Sequence, residues 1–472
     1  MNSFASFAPI VTLSLGSLAY LLVGHILERL KIAAILAVIL IVGAGLLTIG
    51  LQEGDAVSNY GVVVNAFTKL VALVVCAGAL TSVVATASSL KSEEISTVSE
   101  YYYLMLTSLC GALIMIFASD FLTLFIGVEV ASLALYCLCG ARISRRAGSE
   151  AAMKYFLLGC FSSACLLYGI AMVYGVTGSL SLNAMGEELR QVPMTALAFT
   201  LILVGIAFKL GLAPFHFWVP DVYQGAPTSV TAFMSCIVKV AAMAALIKIC
   251  VAVFGFASVW SYGAMWVLSV TAMILGNLAA LQQRSVKRML AYSSVAQAGY
   301  MMIGVVVAGV DASSLSATLY YLISYCAMTV GAFAVISALG PDADSIEDLQ
   351  GLGKRSPFLA VSMTIIFLGL AGLPPGLAGL FGKVYLFQAA LATKFYGLAI
   401  VGALNSALAC AYYFRVPAAM FFQPPVAGET LRVSLSTAVG IGLCVVAIVM
   451  FGVVPDTIMT AASSAVSTLV AR

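Results

Sequence analysis

Apolar runs long enough to cross a bilayer follow one another along almost the whole chain, separated by short polar connectors. A membrane-spanning helix needs about 20 such residues. The sequence predicts fourteen spans, at 5–27, 32–51, 62–89, 101–118, 120–141, 152–175, 194–224, 228–252, 260–281, 288–309, 315–339, 357–394, 397–421 and 434–455. A soluble domain carries about 25% charged residues, whereas this chain carries 9% and is 62% hydrophobic. Lipid can surround that much apolar surface; a soluble core cannot bury it. The expected fold is an all-α integral membrane protein, one membrane domain over residues 1–472. A net charge of +3 gives no reason to expect a nucleic-acid partner.

The first run, MNSFASFAPIVTLSLGSLAYLLVG, lacks a basic flank and a clear small-residue cleavage site. It is expected to be a retained span rather than a signal peptide. The absence of an Arg-rich transit pattern favours a bacterial or organelle-encoded chain. Cys137 and Cys139 lie two apart but have no histidine or second cysteine pair at zinc spacing. All eleven cysteines therefore read as small buried hydrophobes, and no metal is expected. Gly351-Leu352-Gly353-Lys354 lacks the spacing and the following hydroxyl of a phosphate-binding loop.

Orientation follows from the basic residues, which collect on the inner side of a membrane. Of the 22 lysines and arginines, Lys69, Lys209, Lys239, Lys248 and Lys383 fall within spans. Arg190, Lys394 and Arg472 lie in connectors after even-numbered spans, and the other fourteen in connectors or edges after odd-numbered ones. Both termini are thus expected on the outer, periplasmic side.

Two spans, 194–224 and 357–394, are too long for one straight crossing, and each has proline near its middle: Gly211-Leu212-Ala213-Pro214 and Gly372-Leu373-Pro374-Pro375. Proline removes a backbone donor and clashes with the preceding turn. Carbonyls freed this way cannot face lipid, so such breaks need protein or a wet cavity. Paired breaks five spans apart point to two inverted five-helix repeats, spans 4–8 (101–252) and 9–13 (260–421). Residues 1–100 would supply three preceding helices and 434–455 a fourteenth.

Ionisable groups at mid-membrane cost at least about 2.5–3.5 kcal/mol each on insertion scales. Glu129 is the one carboxylate placed at mid-span, in the fifth. Lys209 precedes the first break, Lys239 lies midway along the eighth span, and Lys383 follows the second break. Desolvation disfavours a buried ammonium, and a carboxylate close by restores it. Moving Glu129 relative to Lys209 would load or unload the lysine, as a proton pump requires. A buried ion pair of purely structural value is the competing reading. His216, just after the first break, could relay protons near neutral pH or serve as a packed donor. Lys248 is expected to snorkel, Lys69 and His25 to sit at the interface, and Asp120, Asp221 and Asp311 to cap helices or bind water.

The stretch KLGLAPFHFWVPDVYQGAPTSVTAF (209–233) resembles the signature of the antiporter-like membrane subunits of respiratory complex I, the proton-translocating NADH:quinone oxidoreductase. So do VKRMLAYSSVAQAGYMMIG (286–304) and AGLPPGLAGLFGKVYLF (371–387). Four features resemble the subunit N branch: no histidine in ATLYYLISYCAMTVGAFAVI, a lysine in span 12, no long lateral helix after span 14, and the run ALNSALACAYYFRVPAAMFF (403–422). The resemblance implies proton-transfer roles for Glu129, Lys209, Lys239, Lys383 and His216. It implies no cofactor in this chain, with NADH, FMN, iron–sulfur clusters and quinone on partner subunits. The implied partners are other complex I membrane subunits, including the antiporter-like M subunit. Two departures stand out: GLPPGLAGLFGK replaces the family's usual Thr-Ala-Gly-Phe run, and Asn65 stands near a frequent aspartate. The alternatives are a subunit of a multisubunit sodium/proton antiporter or membrane-bound hydrogenase, and a scaffold with degenerate charges.

Overall fold

The computed structural model describes residues 3–29, 32–53, 61–90, 92–95, 97–142, 144–182, 193–251, 259–425 and 431–470. Lys31, Lys91, Arg190 and Arg472, used above for orientation, lie outside these residues, as do the side chains of His25 and Arg29. Among the described residues the chain is helical, with no strand beyond isolated bridges.

Helices α1 (Ala8–Arg29), α2 (Ala33–Gly50) and α3 (Ala66–Thr86) come first. The first unit contains α4 (Val98–Phe117), α5 (Phe121–Cys139), α6 (Arg146–Thr177), α7 (Pro193–Leu210), α8 (Trp218–Gly225) and α9 (Thr228–Ile249). The second contains α10 (Val259–Leu281), α11 (Val286–Val307), α12 (Ser314–Leu339), the single turn α13 (Leu352–Arg355), α14 (Pro357–Ala371), α15 (Leu377–Ala392) and α16 (Tyr396–Phe422). Helices α17 (Leu435–Val453) and α18 (Pro455–Val470) follow. Twelve helices are long and apolar enough to cross a membrane, among the described residues. The expectation of about fourteen would need α7 with α8 and α14 with α15 each to make one further crossing; α7 and α15 are shorter apolar helices.

The two interruptions share one hydrogen-bond pattern. Gly211 donates to the Phe208 carbonyl at 3.0 Å and Leu212 to Ala207 at 2.9 Å. Gly372 likewise donates to Gly369 at 3.0 Å and Leu373 to Leu368 at 2.8 Å. Both glycines take positive φ, +69° and +87°, which a side chain would resist. A second correspondence lies in helix packing. Gly111 and Gly127 let α4 and α5 touch backbone to backbone, and Gly276 and Gly299 do the same for α10 and α11.

All residues of α9 are buried by protein, as are nearly all of α11 and most of α12. Lys239 and Lys248 on α9 therefore cannot reach lipid headgroups. This corrects the expectation for Lys248, which does not snorkel. Its ammonium is buried and donates to the carbonyls of Ile116, at 2.8 Å, and Ala118. These carbonyls lie at the negative, C-terminal end of α4.

Three further expectations are refined. Asp120 caps α5 as expected, accepting from the Thr123 amide at 2.7 Å. Asp221 instead binds two cations, Lys154 at 2.7 Å and Arg288 at 2.8 Å. Cys236 on α9 and Cys326 on α12 form a disulfide, so those two cysteines are not free hydrophobes. Asn65 caps α3 through a reciprocal pair of bonds with Thr68. The amphipathic helix α18 was not expected. It packs Ala462, Ala465 and Val466, at helical spacing, onto the bundle.

Candidate functional site

Glu129, Ser132 and Tyr136 recur at three- and four-residue spacing and so share one face of α5. Lys209, at the last turn of α7, docks on that face. Its Nζ donates to Ser132 Oγ at 2.7 Å and Tyr136 Oη at 3.2 Å. The Glu129 carboxylate accepts from Ser163 Oγ on α6 and lies within electrostatic reach of Lys209. Among the described residues the two form no direct ion pair. A serine and a tyrosine hydroxyl stand where the salt bridge would be. Glu129 is only half-buried, whereas Lys209 is 2% exposed.

The break after Lys209 is satisfied by protein, as lipid exclusion demands. Trp218 Nε1 adds a second donor to the Phe208 carbonyl at 3.0 Å, and Thr271 Oγ1 donates to Ala213 at 3.1 Å. Lys239 comes up beneath the same break, close to Gly211. Its Nζ crosses to the second unit and donates to the Ser294 carbonyl on α11 at 2.9 Å. The ring of Tyr325 on α12 lies 5.9 Å from it.

Lys383 meets the second break. Its Nζ donates to the freed carbonyls of Leu370 at 3.0 Å and Ala371 at 2.8 Å, and to Ser406 Oγ at 3.0 Å. Its ammonium also sits over the Tyr300 ring, 4.8 Å from the centroid. Gln297, one turn after Ser294 on α11, joins the two lysine environments. Its amide donates to the same Leu370 carbonyl at 2.9 Å and to Tyr413 Oη at 3.2 Å, and accepts from the Tyr321 hydroxyl.

The structure thus brings Glu129 to Lys209, Lys239 to the first break and Lys383 to the second. The three lysines are each 2–3% exposed. A buried ammonium is tolerated because every one has oxygen acceptors. His216 stands apart from this line. Its ring lies 6.2 Å from Tyr292, and no hydrogen bond joins it to a lysine among the described residues.

Sequence reasoning missed the polar groups between the lysines: Ser294, Gln297, Tyr321, Tyr325 and Tyr413. The four-residue spacing of Tyr321 and Tyr325 was the available signal, but aromatic residues at helical spacing usually mean packing. It also missed Glu93, in the connector between α3 and α4. Glu93 is 1% exposed. It accepts from the Ser229 amide at 3.1 Å, from the Ser229 hydroxyl, and from Ser337 Oγ at 3.0 Å. Burial pushes its carboxyl above the usual range, opposed by those bonds and by Lys287.

Residues 118–409 match the family described as NADH:quinone oxidoreductase/Mrp antiporter, TM. The chain is 40% identical over 437 residues to NADH-quinone oxidoreductase subunit N 1 of Sorangium cellulosum, covering 88% of this chain and 85% of that one. It is 38% identical over 475 residues to NADH-quinone oxidoreductase subunit N of Trichlorobacter lovleyi, covering 97% and 96%. A chain of respiratory complex I from Thermus thermophilus, solved with bound Aureothin, superposes with a TM-score of 0.82 at 34% identity, covering 96% of this chain and 98% of that one. A chain of the Mrp complex from Dietzia sp. superposes with a TM-score of 0.87 at 21% identity over 99% of this chain and 98% of that one, and so shares the fold.

Proposed function

Because the chain belongs to the NADH:quinone oxidoreductase/Mrp antiporter membrane family, we propose that it is the antiporter-like proton-channel subunit, of subunit N type, in a proton-translocating NADH:quinone oxidoreductase. It carries no redox centre in this reading. NADH, FMN, iron–sulfur clusters and quinone bind partner subunits, and the chain moves protons through the bilayer as they react. The observation that carries this is the lysine line, three buried ammonium groups on oxygen acceptors with a carboxylate at one end.

Glu129 and Lys209 act as the switch on the inner side, assisted by His216. Lys239 relays, and Lys383 passes the proton to the outer side. No ion pair locks Lys209 to Glu129, so a small movement of α5 against α7 changes how strongly the lysine holds its proton. Residues 101–252 and 260–421 act as two half-channels that meet at Lys239. Residues 1–100 and 434–455 flank them.

A half-buried carboxylate at mid-span would be costly with its open side against hydrocarbon, which supports a neighbouring subunit seated against α5 and α6. The antiporter-like M subunit is the proposed neighbour. The chain's proposed location is a bacterial inner membrane, with both termini on the periplasmic side, as the basic residues suggest.

The test is purification of the intact assembly by a tag on this chain, followed by mass spectrometry. Copurifying flavin, iron–sulfur subunits and NADH-driven quinone reduction are expected. Recovery of membrane subunits alone would favour the sodium/proton antiporter reading.

A further inference from the structure

We propose that Glu93 is a proton-accepting group at the inner mouth of a second route, between α9 and α12, that loads Lys239 directly. The route rests on the lysine relay proposed above, but does not pass through Glu129 or Lys209.

The first support is where Glu93 sits. It is held by Ser229 at the start of α9 and by Ser337 at the end of α12. These are the two helices whose shared interface carries Lys239 and Tyr325. A carboxylate here stands at the end of the seam that leads to the relay lysine.

The second support is a set of buried hydroxyls along that seam. Tyr101, Thr228, Tyr223 and Tyr325 each have a buried hydroxyl with no hydrogen-bond partner among the described residues. Tyr101 on α4 lies against Glu93 and Ser229. Thr228 adjoins Ser229. Tyr223 on α8 packs its ring 5.7 Å from Phe333, one turn of α12 before Ser337, and Tyr325 is beside Lys239. Both Tyr223 and Tyr325 approach the Ser294 hydroxyl without reaching bonding geometry, and the Ser294 carbonyl holds Lys239. Buried hydroxyls almost always have partners. A file of them, each able to accept one proton and release another, is what water needs to bridge Glu93 to the lysine.

The third support is charge. Lys287 on α11 and Arg142 in the turn between α5 and α6 are buried near Glu93, and Tyr101 faces it from α4. These cations keep a buried carboxylate within reach of ionisation, while its burial favours the protonated form. Such a group can exchange protons with the inner aqueous phase. The step balances without electrons. A proton from the inner side converts the Glu93 carboxylate to the acid. It then passes along the hydroxyls to the Lys239 amine, leaving an ammonium there and a carboxylate at Glu93.

The test uses the intact assembly in sealed vesicles, reading protons moved per NADH oxidised. Glu93→Gln keeps an oxygen for Ser229 and Ser337, so a merely structural role survives it. Glu93→Gln and Tyr325→Phe are each expected to assemble and to lose pumping several-fold. Glu93→Asp, which keeps a carboxylate, is expected to pump closer to the parental rate. Parental pumping by Glu93→Gln and Tyr325→Phe would overturn the route, as would equal losses in Glu93→Gln and Glu93→Asp. Lys239→Ala is run in parallel. Parental pumping by that variant would sink the relay itself, whereas impaired pumping there with a normal Glu93→Gln sinks only the Glu93 route. Should Glu93→Gln fail to assemble, Tyr325→Phe alone decides, with the same two outcomes.

Discussion

Lys239 reaches from α9 in the first unit to the carbonyl of Ser294 on α11 in the second, 2.9 Å away. Lys239 therefore ties α9 to α11, and in the proposed relay its hold on a proton depends on how these helices sit against each other.

The Glu129 carboxylate accepts from Ser163 on α6, and in the proposed switch this bond fixes its position relative to Lys209. Ser163→Ala frees it. The variant is expected to assemble normally, because only one hydroxyl is lost and serine to alanine leaves almost no cavity. Protons pumped per NADH should change, since the charge that sets Lys209 is no longer fixed. Unchanged pumping would show that the bond has no part in the switch.

Gln297 shares the Leu370 carbonyl with Lys383 and also bonds Tyr321 and Tyr413. Gln297→Met keeps the volume but strips partners from two buried hydroxyls. A buried polar group left unsatisfied costs about 1–3 kcal/mol. Thermal melting of the purified assembly is expected to fall, with a larger drop in pumping. A Tm equal to the parent's would mean that water replaces the amide at no cost.

Glu93 gives a pH dependence with a definite sign. Burial raises its carboxyl above the usual range. Its contribution to stability is fully present below the unfolded-state value, and is lost as pH rises through the folded-state one. Glu93→Gln has no such loss. Its melting temperature relative to the parent should rise as the pH is raised across that window. A difference independent of pH would contradict this.

Much of the fold was legible in the sequence because a bilayer imposes one rule on every span. Proline at mid-span marked both breaks, and the mid-membrane cost of charge singled out Glu129, Lys209, Lys239 and Lys383. What sequence could not give was enclosure. Lys248 and Lys239 look alike in their apolar runs, and only packing shows that neither can reach the surface. Glu93 lies in a connector, where carboxylates are normally solvated, and is buried only because α9 and α12 end beside it. Helix α18 is too polar for a spanning run, and its small apolar stripe becomes meaningful only against the bundle.

Orientation is checked by labelling single cysteines placed at exposed positions. Ser144→Cys, in the connector after α5, should react with an impermeant reagent from the inner face. Ser313→Cys, at the start of α12, should react from the outer face. Reversed labelling would invert the topology and with it the direction assigned to the lysine line.

The lysine relay itself is tested most directly by comparing Lys239→Ala with Lys239→Arg in vesicles, measuring proton uptake and NADH oxidation together. Arginine keeps a positive charge but stays protonated at any working pH. A need for charge alone would be met by arginine, whereas a need for proton exchange would be met by neither. Both variants are expected to assemble and to lose pumping. Parental pumping by both, with normal assembly, would contradict the relay and leave Lys239 as a structural bond between the two units.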